Sequence, residues 1–136
     1  DYLEAIGDLI HKEMIPLYLR HTERGTALSA QAREHLRALA EVISQELRRS
    51  LRAVADSDQS LARAVLDAKP QARRLERAAI EFQLEPQMSD DPLRMLPNAF
   101  ERELTESLRR IYSLVRRFVR AGTDLLRESV DIQEQA

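Results

Sequence analysis

The chain has no cysteine, which excludes disulfides and thiolate metal sites and fits a reducing, cytoplasmic setting. Glycine is scarce, with Gly7, Gly25 and Gly122 the three in 136 residues, and no glycine-rich phosphate loop exists. Aromatic residues make up 4%. No apolar run approaches the roughly 18 residues that read as a membrane span, and no signal-peptide pattern leads the chain, so a soluble segment is expected. Neither sign of charge is in excess: a formal net charge of −2 gives no global pull toward nucleic acid or anionic membrane. A nucleophile elbow and a paired-histidine zinc motif are also missing, so no catalytic function is expected. His11, His21 and His35 are scattered, and the last two are expected at the surface near helix ends.

What is present is helix-forming. Ala, Leu, Arg and Glu dominate, and no segment alternates apolar and polar residues long enough to suggest a strand. The expected class is all-α, in one domain spanning residues 1–136 that is large enough to bury a core without staples. A first residue of Asp rather than Met suggests a segment excised from a longer protein.

Four apolar stripes at helical spacing divide the chain. The first is Leu3, Ile6, Ile10, Met14 and Leu17, ended by Gly25, with a kink or break expected near Met14 or Ile15 because of Pro16. The second is Leu36, Leu39, Ile43, Leu47, Leu51 and Val54, with Ser29 as its N-cap. "ADSDQS" (55–60) is a polar turn in which Ser57 or Asp58 caps the third stripe, Leu61, Val65, Ala68, Ala72, Leu75, Ala79 and Phe82. Pro70 is expected to bend this helix without ending it. Residues 85–98 hold three prolines and read as a loop, after which Asn98 looks like an N-cap with Glu101 as its capping-box partner. The fourth stripe is Phe100, Leu104, Leu108, Ile111, Val115, Phe118, Gly122 and Leu125, and the tail after it is expected to fray. Short connections make consecutive helices antiparallel, so the expected architecture is an up-and-down bundle of long helices.

Two charged features stand out. On a helical wheel, Glu4, Asp8 and His11, with Asp1 nearby, lie away from the first apolar stripe. Carboxylates four residues apart can share an ion, and carboxylates with an imidazole suit Mg²⁺, Mn²⁺, Fe or Zn²⁺. The alternative is an ordinary solvated face whose acids favour the helix N-terminus. The second feature is "SLRRIYSLVRRFVRAG" (107–122), which holds Arg109, Arg110, Arg116, Arg117 and Arg120 and no acid. Such a stripe could meet nucleic acid, lipid head groups or phosphate, or pair with acids of neighbouring helices. Pairing is the expectation, and no nucleic-acid partner is expected.

Three stretches resemble the PhoU-like family, specifically the C-terminal cytosolic domain of bacterial sodium–phosphate cotransporter proteins. Glu4-Ala5-Ile6-Gly7-Asp8 is similar to the family's acidic motif. The hairpin of residues 36–85, with Leu61-Ala62, Val65 and Leu75-Glu76, is similar to its long helix, Asp-containing turn and following helix. "ESLRRIYSLVRRFVR" (106–120) resembles the final helix of the cotransporter branch. The resemblance implies a PhoU-like bundle that regulates sodium-dependent phosphate transport on the cytoplasmic side of a bacterial inner membrane. Its partner would be a membrane-embedded domain of the same chain, with a homodimer as a further arrangement. A freestanding, metal-binding regulator of phosphate signalling is the alternative. The implied metal ligands are Glu4 and Asp8, joined by Asp1 and His11. The second acidic motif usual in the family is replaced here by Arg109-Arg110-Ile111-Tyr112-Ser113. A site on Glu4 and Asp8 would therefore need another helix, water or a partner subunit to complete it.

Overall fold

Helix accounts for all the regular structure in the computed structural model, which describes residues 1–23, 28–84 and 95–135, the side chains of 95–98 and 125–130 excepted. The class is all-α, a bundle of several long helices. The elements are α1 (Tyr2–Asp8), a π-helical segment (Leu9–Met14), α2 (Ile15–Glu23), α3 (Ala30–Ala55), α4 (Gln59–Asp67), α5 (Lys69–Leu84) and α6 (Met95–Gln135).

The first helix runs unbroken from Tyr2 to Glu23, and the expected kink takes the form of the π segment. Pro16 has no N–H, and its ring crowds the carbonyl four residues back. The π turn absorbs this: the Ile15 N–H donates to the Ile10 carbonyl, five residues earlier. The extra residue also resets the buried line, which is Ile6, Leu9 and Leu17 with Met14 half-buried. Leu3 and Ile10, expected in the core, are exposed, and Leu9 takes their place. Gly25 lies outside the described residues.

Helix α3 starts as expected, with Ser29 Oγ accepting the Ala32 N–H at 3.1 Å. Its buried line is Ala32, Leu36, Leu39, Ile43, Glu46, Ser50 and Ala53, an alternation of four and three without a slip. The expected stripe leaves this line after Ile43, moving to Leu47 and Leu51, because those are the next apolar residues. In the structure Leu47 is half-buried and Leu51 exposed, while Glu46 and Ser50 are almost wholly buried. Regular packing geometry has outweighed side-chain polarity. The α3–α4 turn closes with paired bonds from Asp58 N–H to the Ala53 carbonyl (2.9 Å) and Ser57 N–H to Val54 (3.4 Å). Ser57 takes a left-handed φ of 54°, and Asp58 caps α4 by accepting the Leu61 N–H at 3.0 Å.

The third stripe is divided at Ala68, the C-cap of α4, so Pro70 falls in the first turn of α5, where its missing N–H costs nothing. The buried positions Ala62, Val65, Ala72 and Ala79 continue across the division. Helix α6 begins at Met95, so Asn98 is inside it rather than capping it, and Glu101 is buried rather than part of a capping box. Residues 85–94 of the expected loop lie outside the described residues. At its other end α6 runs to Gln135, where fraying was expected. His21 and His35 are half-buried rather than at the surface: His21 stacks on Phe100 with centroids 4.0 Å apart, and His35 tilts against Phe82.

Cross-helix contacts fix the directions. Gln83 Nε2 donates to Thr105 Oγ1 at 2.8 Å, and Glu76 lies 3.7 Å from Arg109, so α5 and α6 are antiparallel. Glu13 bonds Arg110 at 2.9 Å while His21 meets Phe100, so the first helix is antiparallel to α6 as well. Helices α3 and α6 approach closely at Gly122, where an added Cβ would stand 2.6 Å from Val54 Cγ2. Valine is stiff at χ1 in a helix and cannot swing aside. Gly122→Ala is therefore expected to destabilise the fold by about 1–2 kcal/mol, overpacking outweighing the gain in helix propensity. Thermal unfolding checks this, and adding Val54→Ala is expected to restore most of the loss.

Burial raises the Glu46 carboxyl above its ordinary 4.5, against the opposing pull of Arg49, whose Nη1 donates to Oε1 at 3.1 Å. Among the described residues Glu46 Oε2 has no hydrogen-bond partner. With the folded value above the unfolded one, the ionised group opposes folding above that range, and the opposition fades as pH falls through it. Glu46→Gln is expected to raise the unfolding temperature at neutral pH. That gain should vanish as pH is lowered below about 4.5.

Candidate functional site

The N-terminal strip points outward, as its spacing requires: Asp1, Glu4, Asp8 and His11 are all exposed. Each acid with a contact is engaged locally. Asp1 Oδ1 accepts the Leu3 N–H at 3.0 Å and caps α1, and Asp8 Oδ1 lies 3.2 Å from Lys12 Nζ. Among the described residues no three His, Asp or Glu side chains gather as a metal site. The structure thus brings the four residues onto one surface without drawing them to a common point.

Beside that strip runs a second apolar line. Leu3 (37% exposed) and Ile10 (37%) share a face seven residues apart, and Ile10 adjoins Ile15 (43%) through the π-type hydrogen bond. Tyr18 (58%) and Leu19 (52%) follow one turn on. Among the described residues, the first helix is therefore apolar on its core side and on an adjoining, exposed side.

The basic stretch of α6 divides in two. Arg109 is held by Glu106, with Nη2 donating at 2.6 Å and Nε at 3.1 Å, and Arg110 bonds Glu13. The expected pairing with acids holds for these two. Among the described residues no ion pair joins Arg116, Arg117 or Arg120 to a carboxylate. Arg116 is half-buried, and its Nε–H is buried with no hydrogen-bond partner among the described residues.

Arg116 lines a cleft of about 600 Å³ between α5 and α6. Leu39 and Ile43 of α3 and Ala72 of α5 contribute apolar lining. Around them stand Lys69, Arg73, Arg77, Arg109 and Arg116 against one carboxylate, Glu76. Lys69, Arg73 and Arg77 recur every four residues, which puts them on one side of α5. They escaped the sequence reading because they are interspersed with Glu76 and the apolar stripe, whereas 107–122 is a visible acid-free run. Their regular spacing beside Ala72 is the sign that could have found them.

Like charges crowd this cleft. The Arg116 guanidinium, and behind it Arg73, holds the Lys69 ammonium below the usual lysine range, and Arg120 adds to the effect. Burial, then Arg120, pulls Arg116 down in the same sense. Burial pushes the Tyr112 hydroxyl up to about 12, and this O–H donates to the Val65 carbonyl at 3.2 Å. Neutral at any physiological pH, Tyr112 contributes packing and one hydrogen bond, not charge.

No protein-family model matches the chain, and neither does any curated protein or solved structure. Among the described residues no helix is long and apolar enough to cross a membrane.

Crowded cations predict a response to salt, because ions screen exposed like charges over roughly 10 Å at 0.1 M. Raising NaCl is expected to raise the unfolding temperature of the native chain. Lys69→Gln should flatten that dependence, while Arg63→Gln, an exposed change on α4, should leave its slope unaltered.

Proposed function

We propose that the chain is a non-catalytic regulatory domain of a sodium-dependent phosphate transporter. It is a PhoU-like bundle on the cytoplasmic side of a bacterial inner membrane, acting through contact with the membrane-embedded part of the same protein. The observation that supports this reading is the apolar line of Leu3, Ile10, Ile15, Tyr18 and Leu19, exposed among the described residues. A surface helix normally carries one apolar stripe and spends it on the core. A second row of large apolar side chains in water is a contact surface. Resemblance supplies the identity of the partner, and the line supplies a place for it to bind. The alternative, a freestanding metal-binding regulator, draws on Glu4 and Asp8, which no third ligand joins among the described residues.

In the parent transporter, Tyr18→Glu with Leu19→Glu is expected to leave sodium-driven phosphate uptake intact and to abolish its adjustment to phosphate supply. Deleting residues 1–136 should do the same. Normal adjustment in the double variant would remove the apolar line from the mechanism. Loss of all uptake in the deletion would remove the regulatory role. Self-association of the purified chain that the same two substitutions abolish would reassign the surface to a homodimer.

A further inference from the structure

We infer that the cleft between α5 and α6 is a binding site for a phosphoryl oxyanion, free or carried on a small molecule. This goes beyond the transporter reading and does not depend on it.

The charge cannot be relieved from within. An arginine does not deprotonate in a protein, so the buried, unpartnered Nε–H of Arg116 keeps both its charge and its unmet hydrogen bond. Such a donor out of water is costly unless an acceptor arrives, and an anion supplies acceptor and countercharge together.

Geometry says where in the cleft the anion sits. Lys69 and Arg73 are one turn apart on α5, and Arg116 and Arg120 are one turn apart on α6. The antiparallel alignment fixed by Glu76–Arg109 and Gln83–Thr105 sets these two pairs across from each other. Nearer the Gln83 end, Arg109 is already held by Glu106 and Glu76, and the Glu76 carboxylate repels an anion. The site is therefore the Lys69, Arg73 and Arg116 end.

The chemistry follows from charge and size. Several facing cations favour a multiply charged anion over a single carboxylate, and the guanidinium fork matches phosphate oxygens. A concave cleft of about 600 Å³ has the size of a small-molecule site, whereas nucleic acid and membranes are met by extended basic surfaces. The space exceeds a bare phosphate ion, and Leu39, Ile43 and Ala72 offer an apolar bed for an organic part.

The test is calorimetric titration of the purified chain with inorganic phosphate and with phenyl phosphate, using NaCl at matched ionic strength as the control. Saturable one-to-one binding of at least one of them is expected, with an unfolding temperature above that in matched NaCl. Arg73→Gln and Arg116→Gln should each weaken binding at least about tenfold, the loss of one charge-assisted contact, and Arg63→Gln should not. Lys69→Gln should raise the unfolding temperature without anion and shrink the rise that phosphate causes, which a merely structural lysine would not do. Should Arg116→Gln fold poorly, Arg73→Gln decides, because Arg73 is exposed. Tighter binding of phenyl phosphate identifies a carried phosphoryl group, and equal or weaker binding identifies free phosphate; both support the site. No binding beyond the NaCl control, or binding unchanged in Arg73→Gln, would overturn it. So would binding confined to phosphatidic-acid vesicles or to a single-stranded oligonucleotide, which would make the cations a surface for macromolecules. The measurement uses the isolated chain, so its failure leaves the transport experiments to stand or fall separately.

Discussion

The close approach of α3 and α6 governs the rest of the bundle. The two helices run in the same direction, with Val54 against Gly122 near one end and Ile43 and Tyr112 lining a common cleft farther back. Small residues at the tight end, Ser50 and Ala53 on α3 and Gly122 on α6, let the backbones come together. Farther back the buried side chains are larger, and Leu39, Ile43 and Tyr112 line one cleft. Helix α5 packs against both helices and brings Lys69, Arg73 and Arg77 to the rim of that cleft. The cleft thus has an apolar lining from α3 and Ala72 and carries the cations of α5 and α6.

Much of this could be read from the sequence, and the failures share a cause. The helical class, the Ser29 and Asp58 caps, and most of the third and fourth stripes follow from spacing and local chemistry, which are short-range properties. The errors arise where backbone and packing geometry, which hydropathy does not record, decides which residue faces inward. At Ile43 the apolar pattern steps four residues to Leu47, while the packing steps three to Glu46. At Pro16 the helix inserts a residue, and the wheel that placed Leu3 and Ile10 inside no longer applies. A period of 3.6 is a property of an unperturbed helix, and a π turn changes it without leaving a mark in hydropathy.

The candidate sites divide along the same line. The outward placement of Glu4, Asp8 and His11 was readable because it depends on one helix. The cationic cleft was only half readable, because Lys69 and Arg73 are more than forty positions from Arg116 in the chain and meet it only through the antiparallel pairing of α5 and α6. A run of five arginines in 107–122 draws attention, yet two of them, Arg109 and Arg110, are the ones already neutralised. What matters electrostatically is the remainder after pairing, and pairing is a tertiary property.

That remainder is a matter of arrangement, not composition. The chain carries more acids than bases, with a formal net charge of −2, yet the carboxylates of Glu13, Glu46, Glu76 and Glu106 form no ion pair with Lys69, Arg73 or Arg116. The fold directs each elsewhere. Glu46, buried on α3 and near enough to Tyr112 to act on its hydroxyl, bonds Arg49 on its own helix. Glu106 and Glu76 both converge on Arg109, and Glu13 reaches Arg110 on the opposite flank of α6. Had the bundle needed only internal stability, moving one carboxylate to face Lys69 and Arg116 would have relieved the crowding and satisfied the Arg116 Nε–H. Leaving that position without a carboxylate costs stability on both counts. An unneutralised cleft, in a chain with acids to spare, is the electrostatic complement of a ligand that is negative itself.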